Sequence, residues 1–223
     1  MIPRNPGNPR TTGHSRKPPS LLINLTIRIY EDHELGYQNL GFFFDMKNVR
    51  SWLRAHSRGA SVLNLFSYTC AFSVTALAAG AARVVNIDKA KGALRTGRDN
   101  HTINGLPMEH TSFLAHDIFS SWAKLNKLGP YDVVVLDPPA FQKGSFDVKK
   151  DYGRVVKRLG GLVVKGGYVI ACLNSPRLGF EFLRNHFTAL APDFAERLVI
   201  PAPEPYADVE ADSGLKVVVY QRG

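Results

Sequence analysis

The chain has only two cysteines, Cys70 and Cys172, and no Cys/His cluster with zinc-site spacing. That excludes both a disulfide framework and a metal finger. Long apolar runs are missing too, since stretches such as VVVL at 133–136 are far too short to cross a bilayer. The first 20 residues carry prolines, glycines and basic groups but no apolar stretch of the kind a secretory signal needs. Acidic side chains are in deficit, with 19 Asp+Glu against 28 Lys+Arg, a net charge of +9 and a pI near 9.7. These absences leave a soluble, basic enzyme or binding protein, expected in the cytoplasm with no membrane partner. The charge favours a polyanion as partner. What is present is a globular composition, 44% hydrophobic over 223 residues, ample for one cored domain plus an appendage.

The charge is unevenly spread. Residues 1–19 hold Arg4, Arg10, Arg16 and Lys17, five prolines and no acid, so they supply +4 of the +9. With two apolar side chains, Met1 and Ile2, this segment cannot offset its ordering entropy by burial. Residues 1–20 therefore read as a disordered basic arm. Two readings of it stand open: a fusion scar, misassigned start or solvated tail, or an arm that tracks phosphates without specificity.

Regular patterning begins at Leu21. LLINLTIRIY alternates like a strand, a second short strand is expected around 41–44, and together they make residues 21–45 an N-terminal β-hairpin extension. Residues 46–223 form the main domain. A helix at 48–56 leads into apolar runs at 62–66, 83–88, 111–117, 132–137 and 167–172. Between the runs lie helical stretches at 70–79, 90–103, 117–126, 147–163 and 178–190. Such alternation predicts an α/β fold, a mostly parallel sheet with helices on both faces. FAERLVI (194–200) and LKVVVY (215–220) instead face each other across a proline-containing connection, as an antiparallel pair closing a seven-stranded sheet.

In such a sheet ligands bind beyond the carboxyl ends of the strands. After the first strand come Phe66, Ser67 and Tyr68, then Thr69-Cys70-Ala71-Phe72-Ser73, small and hydroxyl-bearing but without the glycines of a pyrophosphate turn. A nicotinamide dinucleotide is thereby disfavoured. The second strand ends in Asp88, suited to accept both hydroxyls of an adenosine ribose. The third ends in Asp117-Ile118, an acceptor for an exocyclic amine beside an apolar wall. Each acid alone also reads as a helix N-cap or surface charge. The fourth strand ends in Asp137-Pro138-Pro139-Ala140-Phe141. Two prolines can simply stop a strand. Flanked by an acid and an aromatic at the site mouth, they also suit a flipped or unpaired base, held by its edge and stacked on Phe141.

At these residues the chain resembles the S-adenosylmethionine-dependent methyltransferases related to the large-subunit ribosomal RNA methyltransferases that modify cytosine C5 or guanine N7. The resemblance runs from about 37 to 220, through QNLGFFFDMKNVR (38–50), VLNLFSYTCAFSV (62–74), VVNIDKAKGAL (84–94), DNHTINGL (99–106), HDIF (116–119), LDPPAFQKGSF (136–146) and LKVVVY (215–220). It implies a Rossmann-like class I methyltransferase fold with S-adenosyl-L-methionine as cofactor, RNA as partner, and a role in rRNA processing. Phe66, Ser67 and Tyr68 are implied to border the methionine part, Asp88 to take the ribose, and Asp117 and Ile118 the adenine. Asp137, Pro138 and Pro139 are implied to form the methyl-transfer mouth. Arg50, with Asp45, is implied to close over the cofactor. The chain departs from the pattern at Cys70, where relatives commonly carry glycine, and at Lys47, where arginine is usual.

Methylation of cytosine C5 needs a thiolate to add to C6. Cys70 lies in the cofactor turn and reads as a packing residue. Cys172 ends the fifth strand, but the family's cysteine would align with Asn174, and ACLNSPRLGF (171–180) resembles the Asn-containing loop of the guanine-N7 relatives. Transfer to a guanine nitrogen, which needs no covalent intermediate, is therefore the favoured expectation. Lys143, Asn174 and Arg177 are further substrate-binding candidates. Four alternatives remain at this level: a C5 enzyme using Cys172, a DNA or protein methyltransferase, a non-catalytic RNA-binding module, and a NAD-dependent oxidoreductase.

Overall fold

The computed structural model describes residues 41–204 and 214–223. The basic arm, the strand expected at 21–30 and most of the connection before the last strand lie outside the described residues. In chain order, α1 (Lys47–Ala55) leads to β1 (Ser61–Leu65), α2 (Ala71–Ala78), β2 (Arg83–Asp88) and α3 (Lys91–Ile103). Then come β3 (Thr111–Ala115), α4 (Trp122–Leu128), β4 (Tyr131–Leu136), β5 (Phe141–Gln142) and β6 (Phe146–Asp147). The chain closes with α5 (Val148–Val156), α6 (Leu159–Leu162), β7 (Val163–Asn174), α7 (Phe180–Leu190), β8 (Phe194–Val199) and β9 (Leu215–Arg222).

The main sheet has seven strands in the order β3-β2-β1-β4-β7-β9-β8. The first five run parallel, while β9 is antiparallel to both β7 and β8. Central strands must be apolar on both faces, and every residue of β1 is buried. The period of two then sorts their side chains. Val133 and Val135 pack with Val49 and Leu53 of α1 and Phe72 and Ala76 of α2. Val134 and Leu136 pack on the other face with Tyr152 and Val155 of α5 and Leu183 and Phe187 of α7. Chain order reverses between β1 and β4, so the carboxyl ends of β1, β2 and β4 open onto one crevice. Among the described residues no helix is long and apolar enough to cross a membrane.

Three boundaries differ from the sequence expectation. No strand forms at 41–44, where extended chain enters a 3₁₀ turn at Phe44–Met46. The carbonyls there are taken by side chains, Gly41 by the Thr69 hydroxyl at 2.5 Å and Phe43 by Arg50 at 2.7 Å. The helix expected at 117–126 breaks into a 3₁₀ turn, Ile118–Ser120, and α4, because the Ser120 and Ser121 hydroxyls both donate to the Asp117 carbonyl. The helix expected at 147–163 divides after α5, and α6 carries Gly160 and Gly161 into a β7 that starts earlier than expected.

The turn from β1 into α2 is the tightest segment. Phe66, Tyr68 and Cys70 all adopt left-handed backbone, with φ of 55°, 46° and 63°. Each such residue costs roughly 1–2 kcal/mol, so the turn needs external support. Asn100 of α3 donates to the Thr69 carbonyl at 3.0 Å, and the Ser67 amide donates to the Ile87 carbonyl at 3.1 Å. Glycine would carry no strain at position 70, the physical reason for a glycine preference there. Cys70 in turn leaves no room in α3, because a Cβ added at Gly97 would lie 2.5 Å from Cys70 Sγ.

Gly97→Ala is therefore expected to lower stability in urea unfolding by about 1 kcal/mol, an overpacking cost of ~2 kcal/mol less a helix gain of ~1 kcal/mol. Adding Cys70→Gly should return stability to the wild-type level or above. A neutral Gly97→Ala single variant would contradict this packing account.

Candidate active site

The strand ends meet around a cavity of about 530 Å³. On its β1 side, Phe66 and Tyr68 of the left-handed turn line the wall. Ser67 does not; it is buried behind them, against a small side cavity shared with Arg50. Asp88, at the end of β2, accepts the Tyr68 amide on Oδ2 and the Ala90 amide on Oδ1, each at 2.8 Å. Burial raises its pKa, and the amides of Ala90, Tyr68 and Lys89 oppose that rise. A carboxylate has about four acceptor positions, so acceptor capacity remains on Asp88 for a hydroxyl donor.

Beyond β3, Asp117 caps the 3₁₀ turn through the Phe119 amide at 2.7 Å. The N-cap and ligand readings of this acid thus describe one group: Oδ1 serves the turn while Asp117 and buried Ile118 line the cavity. Phe119 extends the apolar wall. Its ring stacks on Phe146 at 6.3 Å, and the Arg154 guanidinium lies 3.9 Å from its centroid.

Asp137, Pro138 and Pro139 follow β4 at the centre of the cavity wall. Burial pushes the Asp137 carboxyl up to about 7, and the nearby charge of Asp45 adds to the rise. Asp45, from the 3₁₀ turn before α1, lines the same cavity. The next residues form a hairpin that the sequence reading missed, β5 paired antiparallel with β6. Its signal was present in QKGSF: Gly144 takes φ 69° and the Ser145 amide closes the turn onto the Gln142 carbonyl at 3.0 Å. Phe146 anchors the hairpin by packing edge-on to Phe66 at 4.9 Å, and Lys89 ties it to β2 through the Gly144 carbonyl at 3.1 Å. Phe141 is left 69% exposed on the cavity rim.

Asn174, at the end of β7, completes the wall. Lys143 and Arg177 are exposed and do not line the cavity: Lys143 stands at the hairpin turn, and Arg177 lies three residues past Asn174. Arg50 is also off the wall. It donates to the Phe43 carbonyl and lies 4.1 Å from the Phe42 ring, so it pins the aromatic segment whose Phe43 lines the cavity. Burial lowers its pKa to about 10, with Asp45 opposing. Lys89, His116, Phe119 and Gln142 are wall residues that pattern reading missed, although each adjoins or lies close to a residue it had found. Neither thiol reaches the cavity. Cys172 is fully buried beside Val49 and Leu53, and burial pushes its pKa well up; burial likewise pushes Cys70 to about 12.

Fold and site together define an α/β protein with acids at successive strand ends around one cavity and two carboxylates, Asp45 and Asp137, on its wall. A family model described as S-adenosylmethionine-dependent methyltransferase matches residues 22–221, and the chain belongs to that family. It is 39% identical over 140 residues to a ribosomal RNA large subunit methyltransferase K/L of Psychrobacter sp. (strain PRwf-1), covering 60% of this chain and 17% of that protein. Against YwbD of Bacillus subtilis (strain 168), provisionally named a ribosomal RNA large subunit methyltransferase, it is 31% identical over 195 residues, 82% of this chain and 49% of that one. The chain thus spans at most half the length of these relatives. Among solved structures, SMU.776, a provisionally assigned methyltransferase complexed with SAH, superposes with a TM-score of 0.75 at 27% identity. That match covers 81% of this chain and 50% of the other.

The wall fits S-adenosylmethionine: open acceptor positions on Asp88, the Asp117–Ile118 corner, and two carboxylates, Asp45 and Asp137, for a cation. Because Asp137 sits near 7, a cation beside it binds more tightly once it ionises. The affinity ratio of S-adenosylmethionine, a sulfonium, to neutral S-adenosylhomocysteine should rise between pH 6 and 8.5 in calorimetric titrations. In Asp137→Asn the ratio should stay flat. A flat ratio in the wild type would contradict the assignment.

Proposed function

We propose that the protein transfers a methyl group from S-adenosylmethionine to an unpaired base of RNA, with ribosomal RNA the favoured substrate and a guanine nitrogen the favoured atom. The observation that carries this reading is the rim itself. An exposed aromatic, Phe141, follows the half-buried acid Asp137 and two rigid prolines on the wall of one cavity. A splayed-out base needs that pairing of a stacking face with edge acceptors. The names of the Psychrobacter and Bacillus relatives support RNA over DNA or protein.

When bound, the cofactor supplies an electrophilic methyl group on a cationic sulfur. The chain's residues do the rest. Phe141 stacks the base, and the prolines hold the backbone carbonyls at its edge. Asp137, ionised above about 7, balances the positive charge that a ring nitrogen gains, or takes the proton that an exocyclic amine releases. Apolar walls from Phe66, Ile118 and Phe119 keep water from the reacting atoms. A thiol-dependent C5 route finds no support, because Cys172 is fully buried with its pKa raised.

The test is transfer of labelled methyl from S-adenosylmethionine to total RNA of a strain lacking the protein, with nucleoside analysis. Label is expected in methylguanosine. Asp137→Ala should lower kcat by about a hundredfold or more, and Phe141→Ala should raise the KM for RNA about tenfold, from stacking of ~1–3 kcal/mol. Cys172→Ala should keep its activity. Label in 5-methylcytosine that vanishes in Cys172→Ala would overturn the nitrogen reading, and no label in any RNA would overturn the substrate.

A further inference from the structure

The LKVVVY stretch carries a residue that the methyl-transfer chemistry does not use. Lys216, the second residue of β9, is fully buried, with 0% of its surface exposed. It pairs across the sheet with Leu173 of β7, and its neighbour Leu215 pairs with Asn174. The sheet's alternation sets Lys216 on the face of Val218 and Tyr220, which belong to the apolar cluster that also holds Leu173 and Leu183. An aliphatic residue would suit that position for folding alone, since removing an ammonium from water is costly unless it is paired.

The ammonium holds one turn. Lys216 Nζ donates to the Ser175 carbonyl at 2.5 Å within the buried interior. That carbonyl also accepts the Leu178 amide at 3.5 Å, and the Ser175 hydroxyl accepts the Arg177 amide at 3.4 Å. Ser175 is thus the anchor of a tight turn that starts directly after Asn174. Asn174 is the residue through which β7 reaches the cavity wall that Asp137 also lines.

We propose that Lys216 is a positioning residue: its buried ammonium, fastened to the Ser175 carbonyl, sets Asn174 and the 175–178 turn against the bound base. This inference rests on the proposed RNA substrate. Lys216 acts through Asn174 and does not itself touch the base. The cofactor side, built on β1, β2 and the turn at 66–70, is separated from β9 by β4 and β7.

The test uses the full chain carrying Lys216→Met, with Lys216→Gln, which keeps an N–H donor, as the variant to use if the first does not fold. Affinity and stoichiometry for S-adenosylhomocysteine should stay within twofold of wild type, as should the KM for S-adenosylmethionine. The KM for RNA should rise about tenfold. Asn174→Ala should show a similar rise, and the Lys216→Met, Asn174→Ala double variant should be no worse than either single one, as expected for residues acting as a unit. In amide NMR spectra, resonances at 174–178 should shift while those at 66–70 and 88–90 hold. Loss of cofactor stoichiometry with an unchanged KM for RNA, or fully additive effects, would overturn the positioning role. If the wild-type protein methylates no RNA, it is the substrate reading that fails, and the resonances at 174–178 still decide whether Lys216 sets the turn.

Discussion

The hydrogen bond from the Tyr68 amide to the Asp88 carboxylate, 2.8 Å long, is the interaction on which the rest of the site depends. Three non-glycine residues in left-handed backbone make the turn at 66–70 unfavourable in isolation. The charged acceptor at the end of β2 offsets that strain from one side, and Asn100 of α3 does so from the other. Asp88 can do this only because parallel pairing of β1 with β2 brings Leu65 level with Ile87, so that both strands end together. One carboxylate therefore joins the register of the sheet, the shape of the turn and the acceptor positions open to a ribose. Strain in the turn persists because the surroundings over-determine it.

The second organising feature is a crowding of negative charge at the mouth of a protein that is basic overall. Asp45 and Asp137 share one cavity wall, and the charge of Asp45 disfavours ionisation of Asp137. That arrangement is costly without a cation and favourable with one, so it is matched to a cationic cofactor such as a sulfonium. Around this acidic mouth stand exposed Phe141 and the basic residues Lys89 and Lys143, features that suit the proposed RNA substrate. Family membership and wall chemistry agree on the cofactor from independent directions.

Much of this was legible in the sequence, and for identifiable reasons. Runs such as VVVL and VLNL carry β-branched and aliphatic residues on both faces, which only a covered parallel strand accommodates. Because strand ends could be located, Asp88, Asp117 and Asp137 could be read as ligand acids before any geometry was known. What stayed hidden depended on tertiary circumstances. Left-handed backbone at Phe66 and Tyr68 has no residue signature, unlike glycine at such positions. Arg50 looked like a cofactor residue, yet it is drawn onto the Phe43 carbonyl by a neighbouring segment. The hairpin at 141–147 is two residues per strand, too short for periodicity to register. The burial of Lys216 arises from pairing with a strand more than forty residues earlier.

The most direct test of this account is calorimetric titration of S-adenosylhomocysteine into the wild-type protein and into Asp88→Asn, with NAD as the comparison ligand. The asparagine keeps an acceptor for the Tyr68 amide but loses the charge and half of the acceptor positions. One S-adenosylhomocysteine should bind per wild-type chain, with no binding of NAD. The variant should still unfold cooperatively while binding about tenfold or more weakly. Equal affinity in the variant and the wild type would contradict the central claim that one carboxylate holds both the turn and the cofactor.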